Sequence, residues 1–358
     1  MGLTSFVAAR DRLLAAATPT VDCEEACSQV MQAIAGVAHY EACAVMTTDP
    51  ESHLPAGGVV TGFSPDDCVP FWDNELLDPD FNKFNHLARS LDPVATLAEA
   101  TDGDLARSPR FGKLYAPAGA VDELRVAFVA GSSCVAIGAF VRTQGEPFTP
   151  TEIRDVRNLL VPATALFRIA LGNITAPLTG DAPTVLLVDG EGQIVNRSTD
   201  SEAVLADLRI GIDGDVPGTL LVAAAKARAT RTAARLTTRI RGHSGRWVRV
   251  HVSPMEGTGD LVSVTISAAQ PSDLVPILLE SYGLTDRETT VVLLVCQGLA
   301  TKDIAAELSI SSHTVRDHLK VIFEKTGAHS RGELVAQIFS HHVLGAFHES
   351  VVHLEHQG

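Results

Sequence analysis

The sequence lacks an apolar stretch long enough to cross a lipid bilayer. Its longest uncharged run, residues 126–141, is shorter than the roughly 18–20 residues that a membrane helix needs, and a Gly-Ser-Ser turn signal interrupts it. Charged residues begin at Arg10, so the amino terminus also lacks the apolar core of a secretory signal. These absences predict a soluble, cytoplasmic protein that does not enter a membrane.

Cysteine is scarce, and its spacing excludes several kinds of site. The six cysteines in 358 residues are too few for a disulfide framework, and none belongs to the Cys-x-x-Cys pairs of zinc and thioredoxin-like sites. Five histidines between positions 341 and 356 match no common zinc spacing either. The sequence therefore predicts free thiols and no metal site.

Signatures of catalysis and of nucleotide binding are absent as well. The sequence contains no G-x-S-x-G, no H-E-x-x-H and no G-x-x-x-x-G-K-[ST] phosphate loop. The amino-terminal segment also lacks the clustered acidic pair of a phosphoacceptor receiver. We therefore expect a protein that is not an enzyme, and the sequence assigns no cofactor.

Basic residues are outnumbered throughout the chain. There are 28 Lys and Arg against 43 Asp and Glu, giving a net charge of −15. Residues 1–180 contribute −10 to this charge, residues 181–280 contribute −2 and residues 281–358 contribute −3. Because an acidic protein binds polyanions poorly as a whole, any nucleic-acid contact must come from a small, well-placed surface.

Length and composition predict two or three globular domains. In the first segment, Thr149, Pro150 and Glu152 form a capping box with proline at the first helical position, which predicts a long closing helix. Apolar patterning before this helix predicts helices over 5–17 and 23–37, and strands over 42–48, 58–61, 124–130 and 135–142.

A Gly-, Thr-, Ala- and Pro-rich linker over 172–183 precedes a second segment. Its pattern predicts strands over 184–188 and 193–195, helices over 202–208 and 217–229, and a meander over 236–240, 248–252 and 261–267. Basic residues alternate along the first meander strand, so Arg239 and Arg241 are expected mainly on an exposed face. A second role of this basic series, docking on the acidic first segment, is a hypothesis.

The first segment contains the sequence EPFTPTEI at 146–153, and the second contains GRWV at 245–248. On these stretches the two segments resemble, respectively, a GAF-like and a PAS-like domain of actinobacterial regulators of the LuxR type. This resemblance implies a multidomain α+β fold with pocket-bearing or dimerising domains. The expected boundaries are 1–172 for the GAF-like domain, 183–270 for the PAS-like domain, 280–345 for a helix-turn-helix domain and 346–358 for a histidine-containing tail.

The last quarter of the chain carries the sharpest pattern, that of four short helices. Capping boxes mark the first and the fourth helix, at Thr285 with Glu288 and at Ser330 with Glu333. Thr301 and Ser311 are the expected caps of the second and third helices, and the intervening turn has helix-turn-helix spacing. Helical spacing predicts a buried stripe on the third helix, formed by Val315, Leu319, Ile322 and Phe323.

Five stretches follow one another in this segment: LTDRE at 284–288, QGLATKDIA at 297–305, IS at 310–311, TVRDHLK at 314–320 and SR at 330–331. With these stretches in this order, the segment closely resembles the LuxR-type DNA-binding domain. This resemblance implies a four-helix fold whose third helix reads double-stranded DNA.

The exposed stripe of the third helix holds the expected base contacts. An α-helix fits the major groove, where Arg316 and Lys320 can donate to guanine, and His313 and Asp317 are secondary candidates. Phosphate contacts are expected from Thr301, Lys302, Thr314 and His318. The alternatives are an ordinary solvated face for the stripe, a solvated or register-excluding Asp317, and a packing role for His318.

The fourth helix is the expected dimerisation surface, through Leu334, Val335 and Ile338, with packing in the domain core as the alternative. Residues 281–345 carry a net charge of −1, so specific binding is expected to need two copies.

The predicted function is therefore a dimeric transcription regulator whose sensor domains gate a DNA-binding unit. Its expected partners are DNA, a second copy, an unidentified small-molecule effector and RNA polymerase. The alternative is a sensor or scaffold protein that acts through protein contacts, with weak or no DNA binding.

Overall fold

The computed structural model describes residues 2–174, 182–210, 214–230, 236–256 and 260–338. Among these residues, no helix is both long and apolar enough to span a bilayer. The predicted linker lies largely outside the described residues, and the histidine-rich tail lies wholly outside them.

The first unit is a five-stranded antiparallel sheet between two helical layers, with strand order β2-β1-β5-β4-β3. One face packs on α1, α2 and α6, and the other faces α3 and α4. Its helices and strands are α1 (Gly2–Ala16), α2 (Cys23–Ala35), β1 (Ala42–Thr48), β2 (Pro55–Thr61), α3 (Cys68–Leu76), α4 (Phe84–Leu87), β3 (Val94–Thr96), α5 (Leu97–Ala100), β4 (Asp122–Ala130), β5 (Ser133–Arg142) and α6 (Pro150–Gly172).

The second unit contains another antiparallel sheet, with strand order β7-β6-β10-β9-β8. The helix α8 packs on this sheet and also on α3 of the first unit, so it lies between the two units. Its elements are β6 (Thr184–Val188), β7 (Ile194–Arg197), α7 (Ser201–Leu208), α8 (Gly218–Thr230), β8 (Leu236–Arg241), β9 (Trp247–Pro254) and β10 (Val262–Ala268).

The third unit is helical and follows the second sheet directly. Its core is closed by apolar side chains from every helix, with Val292, Ile304 and Ile322 fully buried at its centre. The helices are α9 (Pro271–Ser281), α10 (Asp286–Cys296), α11 (Thr301–Glu307), α12 (Ser312–Thr326) and α13 (331–338). The sequence pattern did not predict α9.

The expectation of an exposed face on β8 was wrong. Arg239 is 5% exposed, because its guanidinium donates to Asp49 Oδ2 at 2.8 Å and to Glu51 Oε2 at 2.6 Å in the first unit. The hydroxyls of Ser52 and Thr238 lie 2.8 Å apart beside this pair. At Arg239, the structure therefore agrees with the hypothesis that the basic series docks on the acidic first unit.

Glu280, near the end of α9, is a buried carboxyl group without a hydrogen-bond partner. It is 4% exposed, and within the described residues neither of its carboxylate oxygens accepts a hydrogen bond. Burial raises the pKa of Glu280 well above its usual range, and the Asp49 carboxylate raises it further. The folded chain therefore favours the protonated form.

We expect Glu280→Gln to raise the midpoint of thermal unfolding at about pH 8 and to leave it unchanged at about pH 4. A raised folded-state pKa contributes stability below the unfolded-state pKa, and this contribution is lost as the pH rises through the folded-state pKa. The neutral amide escapes that loss. Thermal unfolding of the full chain at the two pH values measures the effect.

Glu288→Gln is the matched control for this exchange. Burial alone would raise the pKa of Glu288, but Lys325 Nζ at 2.6 Å and Thr285 N at 2.8 Å hold it below its usual range. A lowered folded-state pKa stabilises above the unfolded-state pKa, so this variant should lower the midpoint at about pH 8. A shift in the same direction for both variants would contradict the assignment.

Candidate nucleic-acid interface

The first helix of the interface, α10, starts where the sequence predicts. Thr285 Oγ1 accepts from Glu288 N, and the Glu288 carboxylate accepts from Thr285 N at 2.8 Å. Gly298, just after the helix, has φ +83°, a conformation that suits glycine. This capping box fixes the direction in which α10 leaves the preceding loop.

The α11–α12 pair has the predicted helix-turn-helix arrangement, with one correction. Ser311 caps α12 by accepting from Thr314 N at 3.0 Å, as expected. Thr301, however, is the first residue of α11 rather than its cap, and the preceding Ala300 N donates to Asp303 Oδ2 at 3.3 Å. The Asp303 carboxylate, rather than the threonine hydroxyl, thus accepts a hydrogen bond from a backbone N–H at the start of α11.

The predicted buried stripe of α12 is confirmed. Val315 and Ile322 are fully buried and Leu319 is 7% exposed, while Phe323 is half-buried against the same core. The four candidate base-contact side chains lie on the opposite side of the helix, and all are exposed: His313, Arg316, Asp317 and Lys320. Periodicity alone was sufficient to separate the two faces.

Two of the four exposed side chains contact each other. His313 Nδ1 lies 2.8 Å from Asp317 Oδ2, one helical turn away. Arg316 and Lys320 make no hydrogen bond or ion pair within the described part of the chain. Their donors are therefore free for an external acceptor, whereas the Asp317 carboxylate already faces a histidine.

The candidate phosphate-contact residues lie near the starts of α11 and α12. Lys302 is exposed and Thr301 half-buried, both at the first turn of α11. Thr314 is half-buried, and its hydroxyl lies 2.9 Å from Ser311 Oγ within the cap of α12. His318 is half-buried in the second turn of the same helix. Their contact with phosphate stays a prediction.

The sequence did not reveal that half of the basic residues of this unit have structural roles. Arg287 donates to Leu308 O at 2.8 Å and Arg331 to Leu299 O at 3.1 Å, while Lys325 donates to Gly283 O at 3.1 Å and also pairs with Glu288. Because these acceptors are backbone carbonyls, which every residue has, the sequence gives no signal that identifies them. Lys302, Arg316 and Lys320 are the exposed cations that have no hydrogen-bond partner within the described residues of this unit.

The premise for dimerisation through α13 needs correction. Leu334 is fully buried and Ile338 is 2% exposed, so both side chains pack in the helical core. This agrees with the alternative that these residues pack in the core of the domain. Ser330 Oγ does accept from Glu333 N at 3.1 Å, and this caps the helix as predicted. Val335 is half-buried. Pairing of this helix with a second copy stays a prediction.

The comparisons with known proteins agree with this geometry. The model of bacterial regulatory proteins of the luxR family matches residues 282–337. The spore germination protein GerE of Bacillus subtilis is 42% identical over 55 residues, which cover 15% of this chain and 74% of GerE. The transcriptional regulatory protein DesR of the same organism is 47% identical over 58 residues, or 16% of this chain and 29% of DesR. This chain therefore matches less than a third of DesR.

Among solved structures, the Vibrio cholerae VqmA dimer, described as a LuxR-type receptor, is similar over 44% of this chain and 82% of that chain, with 15% identity. Its TM-score is only 0.22, too low to establish a shared arrangement. The family assignment rests on the helical unit, which the family model matches and in which the similarity covers 74% of GerE. The chain belongs to the luxR family of bacterial regulatory proteins.

Proposed function

We propose that the protein is a DNA-binding transcriptional regulator that inserts α12 into the major groove. The observation that carries this proposal is the unpaired, exposed Arg316 and Lys320, one turn apart on a helix whose opposite face is buried. Either side chain can donate to guanine O6 and N7, and a helix has the right width for the groove. Asp317 and His313 are secondary base contacts, with Asp317 able to accept from cytosine N4.

The protein acts on DNA as a dimer in this proposal. Residues 281–345 carry a net charge of −1 and attract phosphate weakly, so one copy gives little affinity. Two copies on half-sites related by a two-fold axis double the contacts without any further basic residue. Pairing involves α13, of which Val335 presents the half-buried side chain.

The two sheet-containing units serve as sensor domains in this proposal, GAF-like over 1–172 and PAS-like over 183–270, followed by the helical domain over 280–345. They have no catalytic role, and RNA polymerase is the further partner of the bound regulator.

Direct contacts between the first unit and the helical unit support gating of DNA binding. Ser132 Oγ donates to Asp286 Oδ1 at 2.6 Å, and Arg168 Nε donates to Ser281 O at 2.9 Å. A signal acts by changing the relative affinity of two arrangements for DNA.

The close approach of the β4–β5 turn to the helical unit depends on a glycine. Gly131 has φ +63°, and a Cβ atom there would lie 2.7 Å from Leu284 O in the loop between α9 and α10. Any other residue would therefore push the two units apart at this point. This contact gives the first unit a direct mechanical connection to α10.

We expect Lys302→Ala to make DNA binding less sensitive to salt. The logarithm of the association constant falls with the logarithm of the salt concentration by about 0.9 for each neutralised phosphate. Loss of one contact in each copy should therefore reduce the slope by about 1.8 in a dimer. Fluorescence anisotropy with a random-sequence duplex at several salt concentrations measures the slope.

The matched control is Lys113→Ala, which removes the same charge from an exposed ion pair with Asp78 in the first unit. It should leave the slope unchanged. If both variants behave like the wild type, Lys302 does not contact phosphate. If the wild type shows no saturable duplex binding at any salt concentration, the alternative of a scaffold that acts through protein contacts is favoured instead.

A further inference from the structure

The helix α9 contributes to two hydrophobic cores at once. Leu274 and Ile277 are fully buried in the core of the first unit, whereas Leu278 and Leu279 are buried in the core of the helical unit. Pro276 lies inside the helix and cannot donate the backbone hydrogen bond that other residues make there, so the helix bends most easily at this point. A bend at the proline lets the end of α9 move with the helical unit while its start stays in place.

The end of α9 and the loop after it lie against the first unit. Arg168 Nε donates to Ser281 O at 2.9 Å, and Ser132 Oγ donates to Asp286 Oδ1 at 2.6 Å. All four residues are exposed or half-buried, so water competes for these hydrogen bonds and each contributes little. A change in the free energy of one buried group beside them is therefore enough to shift this contact.

Glu280 is the buried charged residue at this contact. It is 4% exposed, and neither of its carboxylate oxygens has a hydrogen-bond partner within the described residues. The titratable groups of the first unit that interact with it electrostatically are Asp49, between β1 and β2, and Cys134 of β5. Arg239 of the second unit, which neutralises Asp49, also pairs with Glu51. Glu280 thus faces a buried carboxylate whose cation is already engaged twice.

This environment favours the protonated form of Glu280 while the contact is closed. A buried charge without a partner costs much free energy, and the Asp49 carboxylate adds repulsion, so both raise the pKa of Glu280. When the end of α9 leaves the first unit, water reaches the carboxyl group and its pKa returns toward the ordinary range. Opening therefore releases a proton to the solvent, and a rise in pH favours the open arrangement.

We propose that the contact between the end of α9 and the first unit opens and closes with the protonation of Glu280. With the carboxyl group neutral, the end of α9 stays on the first unit. With the group ionised, this end and the helical unit move away together at Pro276, while Leu274 and Ile277 remain in the first core. This proposal concerns a contact between units and does not depend on DNA binding.

The test measures how fast iodoacetamide labels Cys134 in the full-length protein, with peptide mass spectrometry as the readout. Cys134 is half-buried beside Glu280, so opening of the contact exposes it further. Cys68, half-buried on α3, is the reference within the same sample. The ratio of Cys134 to Cys68 labelling should be several-fold higher for the wild type than for Glu280→Gln at about pH 8, and equal for both at about pH 6.

The direction of this difference separates opening from a simple charge effect. In a contact that stays closed, an ionised Glu280 disfavours the reactive thiolate of Cys134, so the wild type would be labelled more slowly than Glu280→Gln. Glu307→Gln, which removes an exposed carboxylate of α11, is the control and should behave like the wild type.

If Glu280→Gln does not fold by circular dichroism, Glu280→Met, an uncharged side chain of similar length, takes its place. Labelling of Cys134 in the wild type that is equal to or slower than in the neutral variant at about pH 8 would overturn the proposal. No DNA is present in this test, so its outcome is independent of the proposed function.

Discussion

The Arg316→Ala/Lys320→Ala protein is expected to lose specific DNA binding while it stays folded. A bidentate contact from arginine or lysine to guanine contributes about 1–3 kcal/mol, so the double variant should lose about 2–6 kcal/mol of binding free energy per half-site. Both side chains are exposed and unpaired within the described residues, so their removal leaves no buried group without a partner. Fluorescence anisotropy with a duplex that the wild type selects from genomic DNA measures the loss.

The control for this prediction is Lys113→Ala/Arg157→Ala. It removes the same two positive charges from exposed ion pairs of the first unit, so it separates base contact from a general charge effect. The control should bind the selected duplex like the wild type. Undiminished binding by the Arg316→Ala/Lys320→Ala protein would mean that α12 does not read the bases through these residues.

Arg239→Ala is expected to destabilise the protein by about 3–5 kcal/mol, the usual result of removing one partner from a buried ion pair. Asp49 is fully buried, and its Oδ2 atom accepts from Arg239. Removal of the guanidinium leaves this carboxylate in the contact between the first and second units without its ion-pair partner. Urea unfolding monitored by circular dichroism measures the loss.

Two further variants make the Arg239 prediction specific. Arg249→Ala removes an arginine of the neighbouring strand whose side chain is 43% exposed and pairs with Asp273 only at 3.5 Å, so it should cost at most about 1 kcal/mol. Asp49→Asn/Arg239→Ala should recover part of the loss, because the neutral amide can still accept from Ser52 N. An equal cost for Arg239→Ala and Arg249→Ala would show that the buried pair does not hold the units together.

The elements of the fold that depend on local signals could be predicted from the sequence. The β1 and β6 strands match the predicted ranges, and the capping boxes at Thr149 and Thr285 begin α6 and α10. These features depend on residues within a few positions of one another. The short strand β3 lacks such signals. The helix α9 does have one that the sequence prediction missed, because Pro271 is its first residue and the Asp273 carboxylate accepts from Gln270 N at 2.7 Å.

The burial of β8 shows why local patterns fail at contacts between units. An alternating Arg-Thr strand is typical of a solvated face, but Arg239 meets an acidic partner that lies 190 residues away in the chain. Nothing near Arg239 in the sequence identifies Asp49 as that partner. The same limit applies to α13, because Leu334 and Ile338 are buried in a core that also receives Leu278 and Leu279 of α9, a helix that the sequence pattern did not predict.

The sequence predicted which face of α12 is exposed, but it did not predict which basic residues of the helical unit are available to bind DNA. Helical spacing separated Val315 and Leu319 from Arg316 and Lys320, which needs only the period of the helix. It could not show that Arg287 and Arg331 bind backbone carbonyls, because those partners have no side-chain identity. Of the six basic residues, three are therefore both exposed and without a hydrogen-bond partner among the described residues.

The central claim, that this chain reads DNA sequence, is tested most directly by sequencing the genomic fragments that the purified full-length protein retains. We predict a shared motif with two symmetric half-sites about one helical turn apart, roughly 10 base pairs. Retained fragments without any common motif, or no retained fragments even at low salt, would contradict the claim.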